Sequence, residues 1–265
     1  MKGMPRVDEN IVRLTIPYKD IFTTVYVVKS PQGIILFDTA DNDRDVDEDI
    51  VPLLEQLGVG AEELKYIFIS HNHRDHAGGL ERVLHHFPHA CVLTRSDGLR
   101  EKHPGAIFCA PEDGETLLGG LFRVVTIPGH TADSMALLDI RTKTLITGDC
   151  LQLYGIFGST DWACAIYLPT EHLQAVEKVR GMDVKCILTA HDYHPFGFCY
   201  RGREAVTGAL DICVAPLLQI RDLIRENPQL DDAAIRLKFN ELDKRPTVNT
   251  RVVAAMRKAM DEGGI

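Results

Sequence analysis

The chain of 265 residues is 45% hydrophobic, which suits one large domain, or one domain with a small appendage. Its formal net charge of −9 at pH 7 argues against nucleic-acid or anionic membrane partners, because both are bound through clustered lysine and arginine side chains. Seven cysteines, none in a Cys-x-x-Cys spacing, are expected to be reduced and mainly buried thiols. No apolar segment has the form of a signal peptide or the length of a membrane span, so a cytoplasmic location is expected.

Short strand-like runs alternate with helical ones along the first part of the chain. Strands are predicted in IVRLTI, FTTVYVVKS, GIILFD, KYIFIS, CVLT, LFRVVTIP, SMALLDI, KTLITGD and CILTAH. Helices are predicted in DVDEDIVPLLEQLG, HAGGLERVLHHF and TEHLQAVEKVRGM. In the first of these Pro52 must fall in the opening turn or kink the helix, and in the last Thr170 is the expected N-cap. This alternation predicts an α/β domain with two sheets and helices outside them.

From about residue 203 the pattern becomes helical. Three helices are predicted in EAVTGALDICVAPLLQIRDLIREN, DDAAIRLKFNEL and VNTRVVAAMRKAMDEGG, and no strand is predicted there. We therefore predict a catalytic domain over residues 1–202 and a C-terminal helical appendage over residues 203–265.

Several histidines and two aspartates follow predicted strands, where rigid scaffolds place site residues. They are His71, His73, Asp75, His76, His130, Asp149 and His191. A strand-end histidine taken alone is more often hydrogen-bonded than ligating, and a polar turn is the structural alternative for residues 71–76. The combination favours a site for two metal ions, because imidazole suits zinc and iron and a carboxylate can bridge two cations. Such ions lower the pKa of bound water to about 7, which makes a nucleophile at neutral pH.

The order H-x-H-x-D-H followed by Gly-Gly, then Gly-His, Gly-Asp and a final His, resembles the metallo-β-lactamase-fold hydrolase superfamily over roughly residues 10–195. The resemblance implies a four-layer αβ/βα sandwich with the site at one edge of the paired sheets. It also implies that one metal is bound by His71, His73 and His130, the second by Asp75, His76 and His191, with Asp149 bridging them. Asp38 in LFDTA matches the superfamily's early aspartate, which supports the metal loop, although a purely structural role is an equal alternative.

The predicted ligand set reduces the number of superfamily branches that the sequence resembles. β-lactamases with high-affinity zinc sites often carry cysteine at the position that Asp149 occupies here. An aspartate at this position is similar to the pattern of the glyoxalase II, lactonase, phosphodiesterase and RNase Z-like branches. Oxygen-reducing di-iron members usually show H-x-E-x-D, and here His73 takes the place of that glutamate. The expected cofactors are two divalent ions, zinc first, with iron or manganese as alternatives.

Two aromatic segments directly follow predicted ligands, CLQLYGIFGSTDW after Asp149 and DYHPFGFCYRGR after His191. They either form aromatic core under the appendage or line a substrate pocket. The candidate pocket residues are Tyr154, Trp162, Tyr193, His194, Phe196 and Arg201. Tyr154 or His194 could donate to a developing oxyanion.

These patterns predict a hydrolase in which a metal-bridging hydroxide attacks a small ester, thioester or lactone, with Asp75 orienting the hydroxide and carrying its proton. A phosphodiesterase or nuclease is the first alternative, since SHNHRDHAGG and GHTADSMALLD resemble members that cleave RNA. A mononuclear iron sulfur dioxygenase and a non-catalytic metal-binding protein are the others. The expected partner is a small-molecule substrate, and the sequence leaves a homo-oligomer open.

Overall fold

A computed structural model describes residues 6–153, 155–156, 164–242 and 247–265. The chain divides into two compact units. The first unit comprises residues 1–125 and 135–141, and the second comprises residues 126–134 and 142–265. The described strands fall into two sheets, which together with the helices make a mixed α/β protein, as the sequence predicts.

A six-stranded sheet in the order β1-β2-β3-β4-β5-β6 forms the centre of the first unit. Its strands are β1 (Ile11–Tyr18), β2 (Ile21–Ser30), β3 (Gly33–Phe37), β4 (Leu64–Phe68), β5 (Cys91–Leu93) and β6 (Phe108–Cys109). The first three strands pair antiparallel, and β3 to β6 pair parallel. Parallel neighbours need crossover connections, which helices supply here. The unit also contains β7 (Thr116–Leu117), all but the last residue of β8 (Phe122–Thr126), and β9 (Met135–Asp139), in the order β9-β8-β7.

The helices of the first unit lie in the connections after β3, β4 and β5. They are α1 (Asp43–Asp45), a π-helical turn (Val46–Ile50), α2 (Val51–Gln56), α3 (Arg74–Ala77), α4 (Leu80–His86) and α5 (Asp97–Lys102). Pro52 is the second residue of α2, which continues directly from the π-helical turn that ends at Ile50. Three elements of this unit are not among the predicted ones, α5, β6 and β7, which have six residues or fewer each.

Alternate residues of the strands bury branched aliphatic side chains against the helices. The core of this unit includes Val25, Val27, Leu36, Ile50 and Ile67, all of them fully buried. Burying one such side chain contributes roughly 1.5–3 kcal/mol. The core fixes the sheet, and the sheet positions the loop that follows β4.

The second unit contains β10 (Thr144–Ile146), β11 (Cys186–Tyr193) and β12 (Gly197–Arg201), in the order β12-β11-β10. Its helices are α6 (Pro169–Arg180), α7 (Arg203–Glu226), α8 (Asp232–Leu242) and α9 (Thr250–Asp261). Two sequence predictions are corrected here. Helix α6 begins at Pro169 with Leu168 as N-cap, so Thr170 lies inside the helix. Strand β11 continues beyond His191 to Tyr193, with a register irregularity between Leu188 and Tyr193.

The last three helices pack through an apolar cluster within the second unit. This cluster joins Leu217 and Ile220 of α7, Phe239 of α8 and Val252 and Met256 of α9, all essentially buried. Asn249 caps α9, its side chain accepting a hydrogen bond from Val252 N–H at 3.2 Å. The three helices confirm the predicted secondary structure of residues 203–265, and the domain boundary at residue 202 stays a prediction. In the described part of the chain no helix combines the length and apolar character that a membrane crossing requires.

Candidate metal centre

The loop after β4 delivers four of the predicted ligands. The strand ends at Phe68, and the chain reaches His71 and His73 before α3 begins at Arg74. Helix α3 then carries Asp75 and His76 on consecutive positions. His71 and His76 are fully buried, Asp75 is 9% exposed and His73 is half-buried. The rings of His71 and His73 lie 4.7 Å apart, and those of His71 and His76 lie 4.2 Å apart, so these imidazoles form one group.

Asp38 fixes this group of histidines through hydrogen bonds to its carboxylate. It follows β3 in a left-handed conformation (φ 65°) and is fully buried. Its Oδ1 accepts the Ser70 backbone N–H at 2.7 Å, and its Oδ2 accepts the Ser70 hydroxyl and His76 Nδ1–H, both at 2.8 Å. Burial raises the pKa of the Asp38 carboxyl, while His76 and the two donors from Ser70 act in the opposite direction.

These hydrogen bonds determine which imidazole nitrogen can bind a metal. Because Asp38 accepts at His76 Nδ1, the proton resides on Nδ1 and the Nε2 lone pair remains for a ligand. The Ser70 hydroxyl gives its proton to Asp38, so its oxygen accepts from His71 Nδ1 at 3.1 Å. His71 is therefore held in the same tautomer as His76. His76 Nε2 points to Asp75, whose Oδ2 lies 3.3 Å away.

The Gly-Gly pair after His76 has a steric reason. A Cβ at Gly78 would collide with the carbonyl oxygens of Asp41 and Arg74, and one at Gly79 would collide with that of Thr39. Gly78 N–H instead donates to Ala40 O at 2.9 Å. The backbone after Asp38 can therefore approach the end of α3 closely, which keeps Asp38 beside His76.

The second unit carries the other three predicted ligands. His130 lies in the loop after β8, Asp149 in the loop after β10 and His191 within β11, and all three are buried. Asp149 Oδ1 is 3.1 Å from His191 Nε2, and its Oδ2 is 3.7 Å from His130 Nε2. A single carboxylate thus presents one oxygen to each imidazole, an arrangement suited to a bridging ligand.

His130 is oriented from its far side. Its Nδ1–H donates to Ala165 O at 2.7 Å, which leaves Nε2 for a ligand. Gln152 holds this acceptor in place, because its Oε1 accepts the Ala165 N–H at 2.7 Å while its Nε2 lies 3.2 Å from His130 Nδ1. The preceding Gly129 has φ 155°, and a Cβ there would lie 2.7 Å from His172 Cβ. Glycine is therefore required for the turn that presents His130.

Both aromatic segments are partly described, and they lie side by side. Ile156 forms a β-bridge with Tyr193, and His194 N–H donates to Gly155 O at 2.9 Å. Tyr193 is fully buried, His194 is half-buried, Phe196 is 42% exposed and Arg201 at the end of β12 is exposed. Tyr154 and Trp162 lie outside the described residues. The segment after His191 is largely strand, although no strand is predicted there from its sequence.

Sequence reasoning missed two residues that orient ligands. Ser70 could have been identified from the sequence, since it directly precedes the predicted ligand His71 and has a hydroxyl that can hydrogen-bond to Asp38. Gln152 had no such signal, because its partner Ala165 is thirteen positions away in the sequence.

The donor set fits divalent metal ions. All seven predicted ligands belong to His and Asp groups that could hold a metal ion. Three of the imidazoles are fixed by an acceptor at Nδ1, the arrangement that commonly orients metal-binding histidines. Nitrogen and carboxylate donors of this kind suit zinc, iron and manganese, so the residues alone do not select one metal.

Residues 18–191 match the family model of the metallo-beta-lactamase superfamily. Among curated proteins, the chain is 30% identical over 190 residues to the uncharacterized protein YobT of Bacillus subtilis (strain 168), an alignment that covers 60% of this chain and 79% of YobT. It is 31% identical over 151 residues to the hydroxyacylglutathione hydrolase of Photobacterium profundum, covering 55% of this chain and 54% of that enzyme. The chain thus spans about half the length of such hydrolases.

Solved structures share the fold at low sequence identity. DIM-1 metallo-beta-lactamase superposes with a TM-score of 0.60 and 18% identity, covering 80% of this chain and 96% of that one. Rubredoxin oxygen:oxidoreductase from Desulfovibrio gigas superposes with a TM-score of 0.64 and 18% identity, covering 82% of this chain and 62% of that one. These similarities establish the architecture predicted from the sequence.

Proposed function

This chain belongs to the metallo-β-lactamase superfamily, and on that premise we propose that it is a dinuclear metal-dependent hydrolase of a small ester, thioester or lactone. One observation carries the proposal: the chain has a full set of imidazole and carboxylate donors, and hydrogen bonds at Nδ1 orient three of the imidazoles. The similarity to hydroxyacylglutathione hydrolases supports an acyl substrate, since an acylglutathione is a thioester.

We assign the ligands as the superfamily pattern implies. One ion would be held by His71, His73 and His130, the other by Asp75, His76 and His191, with Asp149 between them. Zinc is the first choice, with iron or manganese as alternatives. When bound, such ions supply a hydroxide at neutral pH and polarise a substrate carbonyl.

Asp75 is the residue to which we assign proton handling. Its backbone is fixed, because its carbonyl oxygen accepts the Thr23 hydroxyl at 3.0 Å. Its side chain is 12% exposed, and its Oδ2 lies 3.3 Å from His76 Nε2. The carboxylate is therefore beside a predicted ligand and is still partly open to solvent. A carboxylate in that position can orient the attacking oxygen and carry its proton to the leaving group.

The paired aromatic segments are the proposed wall of the substrate pocket. Gly155 and Ile156 come shortly after Asp149 in the chain, and Tyr193 and His194 come shortly after His191. The bridge between Ile156 and Tyr193 and the hydrogen bond from His194 N–H to Gly155 O support this proposal. His194 is half-buried and carries a ring nitrogen that can donate to a developing oxyanion. Phe196 presents an exposed ring that can pack against an acyl group.

The test is proton release by pH-stat from zinc- and manganese-loaded protein on thioesters, lactones, β-lactams and phosphodiesters. We expect acid from thioesters or lactones. The His73→Ala variant should lose this activity, whereas His89→Ala, at an exposed histidine outside the ligand set, should keep it. Acid from phosphodiesters alone would refute an acyl substrate, and oxygen uptake with one bound iron would refute hydrolysis. A His73→Ala protein that retains both metals and full activity would refute the ligand assignment.

A further inference from the structure

Two cysteines at the edge of the six-stranded sheet face each other. Cys91 opens β5 and Cys109 ends β6, and these strands are parallel neighbours. Their Sγ atoms are 2.8 Å apart. A disulfide bond is about 2.05 Å long, so a small side-chain adjustment of under about 1 Å would bring the two sulfurs to bonding distance. We propose that Cys91 and Cys109 form a reversible disulfide when the protein meets a low-molecular-weight disulfide such as glutathione disulfide.

Exposure separates this pair from the other thiols. All seven cysteines lie in the described part of the chain, and Cys109 alone among them is exposed. Cys186 and Cys199 also approach each other, with Sγ atoms 3.7 Å apart, but Cys186 is 1% exposed. Cys164 is buried, and burial raises its thiol pKa to about 12, which keeps it protonated and unreactive.

The exposures also set the order of the two exchange steps. Cys109 is accessible, so its thiolate attacks one sulfur of the glutathione disulfide, and one glutathione thiolate leaves. Cys91 then loses its proton and attacks the Cys109 sulfur of the mixed disulfide, releasing the second glutathione. Two protein thiols are oxidised and one glutathione disulfide is reduced to two glutathione molecules. Burial, and then the neighbouring Cys109 thiol, raise the pKa of Cys91 to about 12, so Cys91 is the slower, resolving partner.

The cross-link would constrain a weakly held edge. Strand β6 has two residues. At its ends, Val92 N–H donates to Ile107 O at 2.8 Å and Thr94 N–H donates to Cys109 O at 3.2 Å. A bond between Cys91 and Cys109 closes a loop that contains α5 and restricts the unfolded chain. The oxidised protein should therefore unfold at a higher temperature than the reduced protein.

The experiment equilibrates the metal-loaded protein with glutathione buffers of increasing disulfide fraction, blocks free thiols by alkylation and digests without reductant. Mass spectrometry should find a peptide pair joined through Cys91 and Cys109, which grows with the oxidised fraction and disappears with dithiothreitol. The unfolding temperature should rise in parallel. Complete alkylation of both Cys91 and Cys109 in the most oxidising buffer would show that they remained free thiols and would overturn the proposal. A Cys186–Cys199 link that forms first would also overturn it.

Single variants test the order of the steps. Cys91→Ser should trap glutathione on Cys109 and lose the rise in unfolding temperature, whereas Cys109→Ser should leave Cys91 unmodified. Cys199→Ser is the matched control and should form the Cys91–Cys109 link like the parent. Glutathione trapped on Cys91 in Cys109→Ser, to the same extent as on Cys109 in Cys91→Ser, would show that Cys109 is not the entry point. Neither set of results depends on the proposed hydrolase activity.

Discussion

Replacing Asp38 with asparagine changes one atom and should reverse two imidazole tautomers. The Ser70 N–H is fixed in the backbone, so the asparagine must keep its carbonyl oxygen toward it, 2.7 Å away in the parent. The amide nitrogen then takes the place of Oδ2, which accepts from the Ser70 hydroxyl and from His76 Nδ1. Because the amide nitrogen can only donate, His76 must accept at Nδ1, and its own proton moves to Nε2. Ser70 can pair only by accepting as well, and its proton then turns toward His71 Nδ1.

The magnitude follows from these contacts. Both His71 and His76 would present a protonated Nε2, and binding a metal would require each to restore the original tautomer against a mismatched neighbour. Loss of one outer partner of a ligand costs about 10–100-fold in metal affinity, which corresponds to roughly 1.4–2.8 kcal/mol. We expect the zinc affinity of Asp38→Asn to fall by at least about tenfold. Its unfolding free energy should fall by about 1–3 kcal/mol.

The measurement is zinc affinity by competition with a chromophoric chelator, together with nitrogen-15 NMR of the imidazoles in the apoprotein. The control is Asp139→Asn, since Asp139 is also buried and its oxygens accept from Arg141 at 2.8 and 3.0 Å, but it contacts no predicted ligand in these hydrogen bonds. That variant should lose stability and keep its zinc affinity. If both variants bind zinc as the parent does, or if His76 keeps its proton on Nδ1 in Asp38→Asn, the tautomer reasoning fails.

Three further substitutions have defined outcomes. Gln152→Ala releases the Ala165 N–H, so zinc affinity should fall by about tenfold and the unfolding free energy by about 1–3 kcal/mol; an unchanged affinity would show that Ala165 needs no support. Gly78→Ala forces a methyl group onto the Asp41 carbonyl oxygen and should lower the unfolding free energy by about 1–3 kcal/mol, whereas Gly105→Ala, which meets nothing within 4 Å, should not. Burial lowers the pKa of His172 from 6.5 to about 4, so the unfolded chain binds its proton first and stability falls as pH drops through this range, by up to about 3 kcal/mol. His172→Gln should remove this decline from urea unfolding curves recorded between pH 7 and 4.

The parts of the site that sequence reasoning reached are local. Residues 70–79 can be interpreted from their own sequence, because a strand, a turn and a short helix bring His71 and His76 together. The two glycines then leave room for the backbone of the neighbouring loop. The same holds for α7, whose apolar spacing predicts a helix despite Pro216 inside it. Local sequence suffices where the contacts that fix an element lie within a few residues of it.

The failures at β12 and Gln152 have a long-range cause, whereas the failure at Thr170 has a local one. Residues 197–201 form β12 because they pair with β11, with Leu188 opposite Cys199. Nothing in the aromatic-rich sequence of β12 indicates that pairing partner. Thr170 has the chemistry of an N-cap, but Pro169 begins α6 one residue earlier, since proline is favoured in a first turn. Gln152 orients His130 through Ala165, which is thirteen positions away in the sequence, so no local pattern predicts the contact.

The choice of reaction must come from the donors, because the fold is common to a metallo-beta-lactamase and to an oxygen oxidoreductase at 18% identity each. Two divalent ions with five neutral imidazoles and two carboxylates would carry a net charge of about +2, which favours deprotonation of a water molecule. Exchanging an imidazole for a carboxylate lowers that charge and replaces a donor that suits zinc by one that suits harder ions. His73, half-buried within the group, is the position to change. His73→Glu should raise the ratio of iron and manganese to zinc in protein produced with all three metals present and should lower hydrolysis. An unchanged metal ratio would mean that the donor at residue 73 does not select the metal.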